Sequence, residues 1–348
     1  MKLLLLKMLR LFFPKSTPIA KSIERILIVR QDRRIGNMLF ITPLIREAHN
    51  IFPLAEIDVL VPKNFSEIFH FNPHITNIIE FDHKGLIISP HKFFKMIGDL
   101  RRRKYDIVFD TKDVLSFTNA LITILSAVNM AVGYDYKGSE IIHNKIIPLP
   151  SADMYEPRRH LKLLEALNDE ASVSDKMEIF ITEAEIEATE FLLAEQGFAS
   201  GGFIAIHCGG RGRKAYGVKR FFTVARALAA NYSLKSLLIY GPDEEEEVGN
   251  LAESSDILWI EPGDIREMAS YIYHCGIFLS GDTGALHLAV ALDKPTVSLF
   301  FGSYWARYAP KGDKHTVYYR LDVPPSERKV AEMVAERFNA EGGFPFGN

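Results

Sequence analysis

The chain has 348 residues, 47% hydrophobic and 24% charged, with a formal net charge of −3. That length allows two domains of ordinary size, and the charge balance excludes the strongly basic domain of a nucleic-acid binder. Two cysteines far apart, Cys208 and Cys275, fit a reducing cytoplasm and exclude a disulfide scaffold.

The first 24 residues form a basic, apolar segment. "MKLLLLKMLRLFFPKS" carries Lys2, Lys7, Arg10 and Lys15 in an otherwise apolar run. The run is far short of the roughly 20 residues a spanning helix needs, and no small-x-small cleavage site follows. A helix here places Lys7 and Arg10 on one face with leucines around the rest. That pattern fits a helix lying in a membrane interface. It fits equally a helix docked on the protein's own core or on a partner chain, and the sequence leaves both readings open.

From residue 25 onward strands and helices alternate. "RILIVR" (25–30) reads as a buried strand, followed by a helix from about Asn37 that carries Met38, Ile41, Ile45 and His49 near one face. "EIDVLV" (56–61), "NIIEF" (77–81), "YDIVFD" (105–110) and "MAVGY" (130–134) are the next strands. Helices are expected near 64–71, 91–104 and 115–128. Helical connectors over 158–168 and 183–196 lead to a second set of strands: "GFIAIHC" (202–208), "KSLLIYG" (235–241), "ILWIE" (257–261), "GIFLSG" (276–281) and "TVSLFF" (296–301). A helix from about Lys219 opens this half. A terminal helix, capped by Ser326, closes it. The alternation makes an α/β protein of two doubly wound domains with mostly parallel sheets.

Ligands of such sheets bind outside the carboxyl ends of the strands. Three polar corners fall there: "RQDRRIGN" (30–37), "HCGGRGRK" (207–214) and "SGDTGALH" (280–287). In the last, Asp282 or Thr283 can cap the helix that begins at Gly284. A cap explains neither Gly284, which lets a ligand approach the backbone, nor His287 on the same helical face. The alternative is an anion such as a diphosphate on the helix N-terminus. The second corner, with Gly209 and Gly210 in a pliable loop, adds Arg211, Arg213 and Lys214. It matches neither the phosphate-loop nor the dinucleotide pattern, but opposite a helix N-terminus it makes a diphosphate clamp. The acidic run 243–247 opens a helix, where carboxylates are favourable, and Asp243 is its candidate for a ribose hydroxyl. No Asp-x-Asp pair occurs, so no paired-carboxylate metal site is expected, and no cofactor.

"ILIVRQDRRIGNMLFITPLIREAHNIFPLAEIDVLV", "IAIHCGGRGRKAYGVKRFFTVARAL" and "SGDTGALHLAVALDKPTVSLFFGS" together resemble glycosyltransferase family 9, the bacterial heptosyltransferases of the lipopolysaccharide inner core. The resemblance runs from about residue 25 to about 310. It implies a GT-B fold, two Rossmann-like domains facing across a cleft: an acceptor domain over 25–175 and a nucleotide-sugar domain over 176–325. A C-terminal segment, 326–348, would pack back on the first. It implies inverting, metal-independent transfer of heptose from an ADP-sugar to a lipid-linked saccharide. The partners would be that donor, that acceptor and the inner surface of the cytoplasmic membrane, with the protein cytoplasmic and peripheral. Asp282, Thr283, Gly284 and His287 would hold the donor, and Lys214 would neutralise the leaving phosphate. The family's Lys-x-Trp-Pro reads "KAYG" here.

The first corner departs further. Where the family has Ile-Gly-Asp, its proposed base, this chain has Ile35, Gly36 and Asn37. An amide cannot take a proton from a hydroxyl at neutral pH. Asp32, the one carboxylate of that corner, becomes the candidate base, with Arg33, Gly36 and Asn37 on the acceptor side. A relative that binds nucleotide-sugar or lipid acceptor without turnover is the alternative that Asn37 raises, and a nucleotide-sugar epimerase is another.

Overall fold

Strands buried on both faces need apolar side chains on both, and the runs that satisfy this form the centre of two parallel sheets. The computed structural model describes residues 2–15, 22–81, 89–165, 167, 173–251, 254–302 and 304–342. It divides after Met177 into two compact units. Residues 16–21 of the N-terminal segment, 166 and 168 of the first connector, Ser303 of the third motif and 343–348 of the terminal segment lie outside the described residues.

The first unit contains α1 (Lys2–Phe12), β1 (Arg25–Val29), α2 (Ile35–Leu39), α3 (Thr42–Ile51), β2 (Glu56–Pro62), a 3₁₀ turn (Lys63–Phe69) and β3 (Asn77–Phe81). It continues with α4 (Pro90–Arg103), β4 (Ile107–Asp110), α5 (Phe117–Leu125), β5 (Met130–Tyr134), α6 (Ser139–Ile142), β6 (Lys145–Ile147) and α7 (Glu156–Glu165). The second unit contains α8 (Glu183–Glu195), β7 (Phe203–His207), α9 (Val218–Tyr232), β8 (Lys235–Ile239), α10 (Glu245–Val248), β9 (Ile257–Ile260) and α11 (Ile265–His274). After these come β10 (Ile277–Gly281), α12 (Gly284–Ala291), β11 (Thr296–Phe300), α13 (Trp305–Tyr308), β12 (His315–Tyr319) and α14 (Glu327–Ala340).

Both sheets are six-stranded. The orders are β3-β2-β1-β4-β5-β6 and β12-β11-β10-β7-β8-β9, the same doubly wound topology twice. The order reverses between β1 and β4, where Val29 pairs with Asp110, and between β7 and β10, where His207 pairs with Ser280. In sheets of this kind, ligands bind outside the strand ends at the point where the order reverses.

The expected helix from Asn37 is two helices. Pro43 has no N–H to donate to a preceding turn, so it ends one helix and sits in the first turn of the next. The helix expected near 64–71 is the 3₁₀ turn. Strands β6 and β12 were absent from the sequence reading. Both are partly exposed edges, so neither shows the apolar run of a central strand.

The N-terminal helix is docked on its own unit. Leu6 is wholly buried among Ala120, Ile124, Ile141 and Ile142. Arg10 donates to the carbonyls of Ile141 (2.7 Å) and Ile142 (2.5 Å), and Lys15 to those of Glu140 (2.5 Å) and His143 (2.6 Å). These cations satisfy carbonyls that the short α6 leaves without partners at its end.

Ser326 caps α14 by accepting from the Lys329 N–H. The helix buries Val330, Ala331, Val334 and Phe338 in the second unit's core, with Val224 and Leu228 of α9, Leu279 of β10 and Leu299 of β11. The helix thus packs on the sheet of its own unit.

Candidate functional site

In the first unit Asp32 leaves β1 at the switch point. Its Oδ2 accepts from Lys112 Nζ (2.9 Å) and from Arg30 (3.4 Å), and its Oδ1 accepts from the backbone N–H of Arg33 (2.8 Å). Burial alone would raise the Asp32 pKa. Arg30, Lys112 and a hydrogen bond from Asn37 outweigh it and hold the carboxyl down at about 2. Arg30 is itself buried and donates to the Thr111 carbonyl (2.8 Å). Lys112 arrives from the end of β4, on a loop fixed by Asp110. The Asp110 carboxylate accepts from the Asn119 amide (2.7 Å) and the Lys112 N–H (3.2 Å), and His143 Nε2 lies 3.2 Å from it. Asn37 and Gly36 belong to α2, and Arg33 is exposed.

The second unit repeats the relationship with the roles exchanged. Lys214 leaves β7, and its Nζ donates to Asp282 Oδ2 (2.5 Å) at the end of β10. Thr283 is the N-cap residue of α12, but its hydroxyl makes no capping bond. The hydroxyl instead meets Ser280 (2.9 Å) and His207 Nδ1 (3.5 Å). The capping alternative is thus excluded for Thr283, and the first N–H groups of α12 keep their capacity for an anion. Gly284 opens that helix. His287 lies within the fold, under the corner. It is 4% exposed, and burial pushes its imidazole down to about 4, aided by Lys214 and opposed by Asp282.

Beside this corner lies a cavity of about 340 Å³, bordered by His207, Gly209, Gly210, Arg211, Asp243 and Met268 among others. Gly209 is dictated by space: a Cβ there would stand 2.6 Å from the His207 ring. Arg211 and Asp243, both well exposed, form an ion pair across the cavity's polar side at 3.2 Å. Ile265 and Met268 make its apolar side. The volume and lining suit a nucleoside, with Arg211 among the carboxylates of Asp243, Glu244 and Asp264 on a polar side and an apolar face for a base.

The structure therefore brings together Lys214 with Asp282, Arg211 with Asp243, and Asp32 with Asn37. It leaves Arg33 at the surface and His287 beneath the site. The sequence reading missed Lys112, His207 and Met268. The signal for Lys112 was available: it follows the strand that a doubly wound order places beside β1. Met268 lies on a helix face and had none. Among the described residues, no three His, Cys, Asp or Glu side chains converge as a metal-binding group.

A family model described as "Glycosyltransferase family 9 (heptosyltransferase)" matches residues 93–337. Lipopolysaccharide heptosyltransferase 3 of Escherichia coli is 24% identical over 278 residues, covering 76% of this chain and 80% of that one. The crystal structure of a family 9 glycosyltransferase from Veillonella parvula superposes with a TM-score of 0.81 at 17% identity, covering 93% of this chain and all of that one. The E. coli heptosyltransferase WaaC, solved with ADP-2-deoxy-2-fluoro heptose, gives 0.70 at 19% identity, covering 90% and 99%. With a GT-B fold and a family match over most of its length, the chain belongs to glycosyltransferase family 9 and is a glycosyltransferase.

Proposed function

We propose that the chain transfers heptose from ADP-heptose to a lipopolysaccharide-type acceptor, with inversion and without a metal ion, on the inner face of the cytoplasmic membrane. The observation that carries this reading is the Lys214–Asp282 pair at the uncapped start of α12, beside a nucleoside-sized cavity. The likeness to a curated lipopolysaccharide heptosyltransferase and to one solved with an ADP-heptose analogue supports the choice of substrates.

In this reading the base lies along Ile265 and Met268, Asp243 takes a ribose hydroxyl, and Arg211, Lys214 and the α12 N-terminus hold the diphosphate. An acceptor hydroxyl attacks the anomeric carbon from the side opposite the diphosphate. The bond from that carbon to the phosphate oxygen breaks, and its electron pair leaves with ADP. Lys214 and the helix N–H groups stabilise the charge that grows there, the work a metal does in other enzymes. Asp32 takes the hydroxyl proton. Its ion pairs keep it ionised but oppose proton uptake, so acceptor binding has to loosen the Lys112 contact.

Asn37, and a carboxylate held at about 2, favour the second reading of a relative that binds without turnover. One experiment separates them: incubation with ADP-heptose and lipid-linked acceptor, followed by product analysis. A glycosylated acceptor of inverted configuration supports transfer. ADP-heptose bound but unchanged supports the binding relative, and an epimerised donor supports neither.

A further inference from the structure

Helix α1 carries large apolar side chains on two sides, and the protein's own core covers only one of them. Leu6, Leu9 and Phe13 face inward, toward α5, α6 and the cluster that holds Phe93, Ile97 and Leu100 of α4. Leu4, Leu5, Met8, Leu11 and Phe12 are left 46–81% exposed. Positions 4, 5, 8, 11 and 12 fall within one arc of a helix, so they form a continuous stripe rather than scattered exposures. Such a stripe marks a surface that another phase or partner covers.

The charges around it say which. Arg10 and Lys15 are engaged by backbone carbonyls and are withdrawn from any partner. Lys2 and Lys7 remain exposed on α1. At its end α1 adjoins α4, where the Arg101 guanidinium lies 5.2 Å from the centre of the Phe13 ring. Helix α4 adds a 65% exposed Phe94 together with exposed Lys92, Lys95, Arg101 and Arg102. Across both helices the sole acid is Asp99, which pairs with Arg102. Five large apolar side chains, a sixth on the neighbouring helix and an almost unopposed set of cations match the acyl boundary and headgroups of an anionic bilayer. Among the described residues no helix is long and apolar enough to cross one.

We propose that α1 and α4 together form a preassembled docking face for anionic lipid. The proposal rests on the membrane-bound acceptor of the reading above and names the surface and lipid that hold the enzyme to it. The stripe is presented by a helix welded to the fold through Leu6, Arg10 and Lys15. The enzyme body is therefore fixed against the bilayer, instead of hanging from a loose anchor.

Removing α1 would uncover the Leu6 socket, so the test keeps the full chain and changes only outward side chains. Co-sedimentation with vesicles of phosphatidylethanolamine and phosphatidylglycerol should bind the protein, while phosphatidylcholine vesicles should not. Leu11→Ser with Phe12→Ser, and separately Lys92→Glu with Lys95→Glu, should each weaken binding by about tenfold or more, the second with a flatter salt dependence. Unchanged binding in either double variant overturns the two-helix face. So does a solution dimer that the same changes dissociate, with no vesicle binding. The parent chain is also assayed for transfer to a lipid-free saccharide acceptor. In the parent, absent vesicle binding with intact transfer sinks the docking face alone. Absent transfer with normal vesicle binding sinks the enzyme reading and leaves the face standing.

Discussion

Lys214 and Asp282 meet 2.5 Å apart across the point where the second sheet reverses its strand order. Asp32 and Lys112 meet at the equivalent point of the first sheet, with acid and base exchanged between the strands. In the second unit the cation comes from the loop after the first strand. In the first unit it comes from the loop after the fourth. The same topology thus presents a cation beside a helix N-terminus in one unit, and a carboxylate restrained by cations in the other.

Lys214→Ala should weaken ADP binding by about tenfold or more, since a charge-assisted hydrogen bond contributes roughly 1.5–3 kcal/mol. Lys214→Arg should recover part of that loss, because the charge remains. Calorimetric titration with ADP reads both. If Lys214→Ala binds ADP as the parent does, the ion pair with Asp282 is structural and the diphosphate lies elsewhere.

Turnover should persist in EDTA. The leaving charge is assigned to Lys214, Arg211 and the α12 N-terminus, so a chelator has nothing to remove. Activity abolished by EDTA and restored by magnesium or manganese would count directly against that assignment.

The central strands were legible because burial on both faces leaves an unbroken apolar run, as in "FIAIH" and "TVSLF". The edges were not. β6 is three residues with two exposed, and β12 is partly exposed throughout, so neither shows the unbroken apolar run of a central strand. The corners were legible as positions and only partly as chemistry. Sequence placed Thr283 at a helix start, but tertiary contacts with Ser280 and His207 turned its hydroxyl away from the cap. It placed His287 on the same helix, but not that packing would bury it. The docking of α1 turned on contacts far away along the chain, 131 residues in the case of Arg10 and Ile141.

His287, together with His207 and His315, which burial also pushes down to about 4, makes the fold acid-sensitive before its carboxylates do. Its native imidazole is pushed down to about 4, mainly by burial, whereas an unfolded chain binds a proton near the ordinary 6.5. Stability from this group is fully present above pH 6.5 and is lost as pH falls toward 4, where the unfolded state holds more protons. Urea midpoints measured across that window should fall with pH, and His287→Gln should flatten the slope. The slope that remains belongs to His207 and His315, and a slope wholly unchanged in the variant would show that His287 is not among the groups that titrate.

The Asp32–Lys112 contact yields the most discriminating prediction. A carboxylate at about 2 is ionised at every practical assay pH, so the parent should show no acid limb from it. Lys112→Met removes one of the cations that hold it down. The Asp32 pKa should then rise, because burial is left less opposed, and an acid limb should move up toward the assay range. Asp32→Asn should lower turnover by about 10²–10⁴-fold with little change in ADP affinity, as expected for a lost general base. It should also abolish any limb that Lys112→Met creates, which a merely structural pair would not do. Asn37→Asp should be unnecessary for activity. If Asp32→Asn is harmless and Asn37→Asp creates turnover where the parent has none, the chain binds donor and acceptor without joining them. The Asp32–Lys112 pair is then only a brace between β1 and β4.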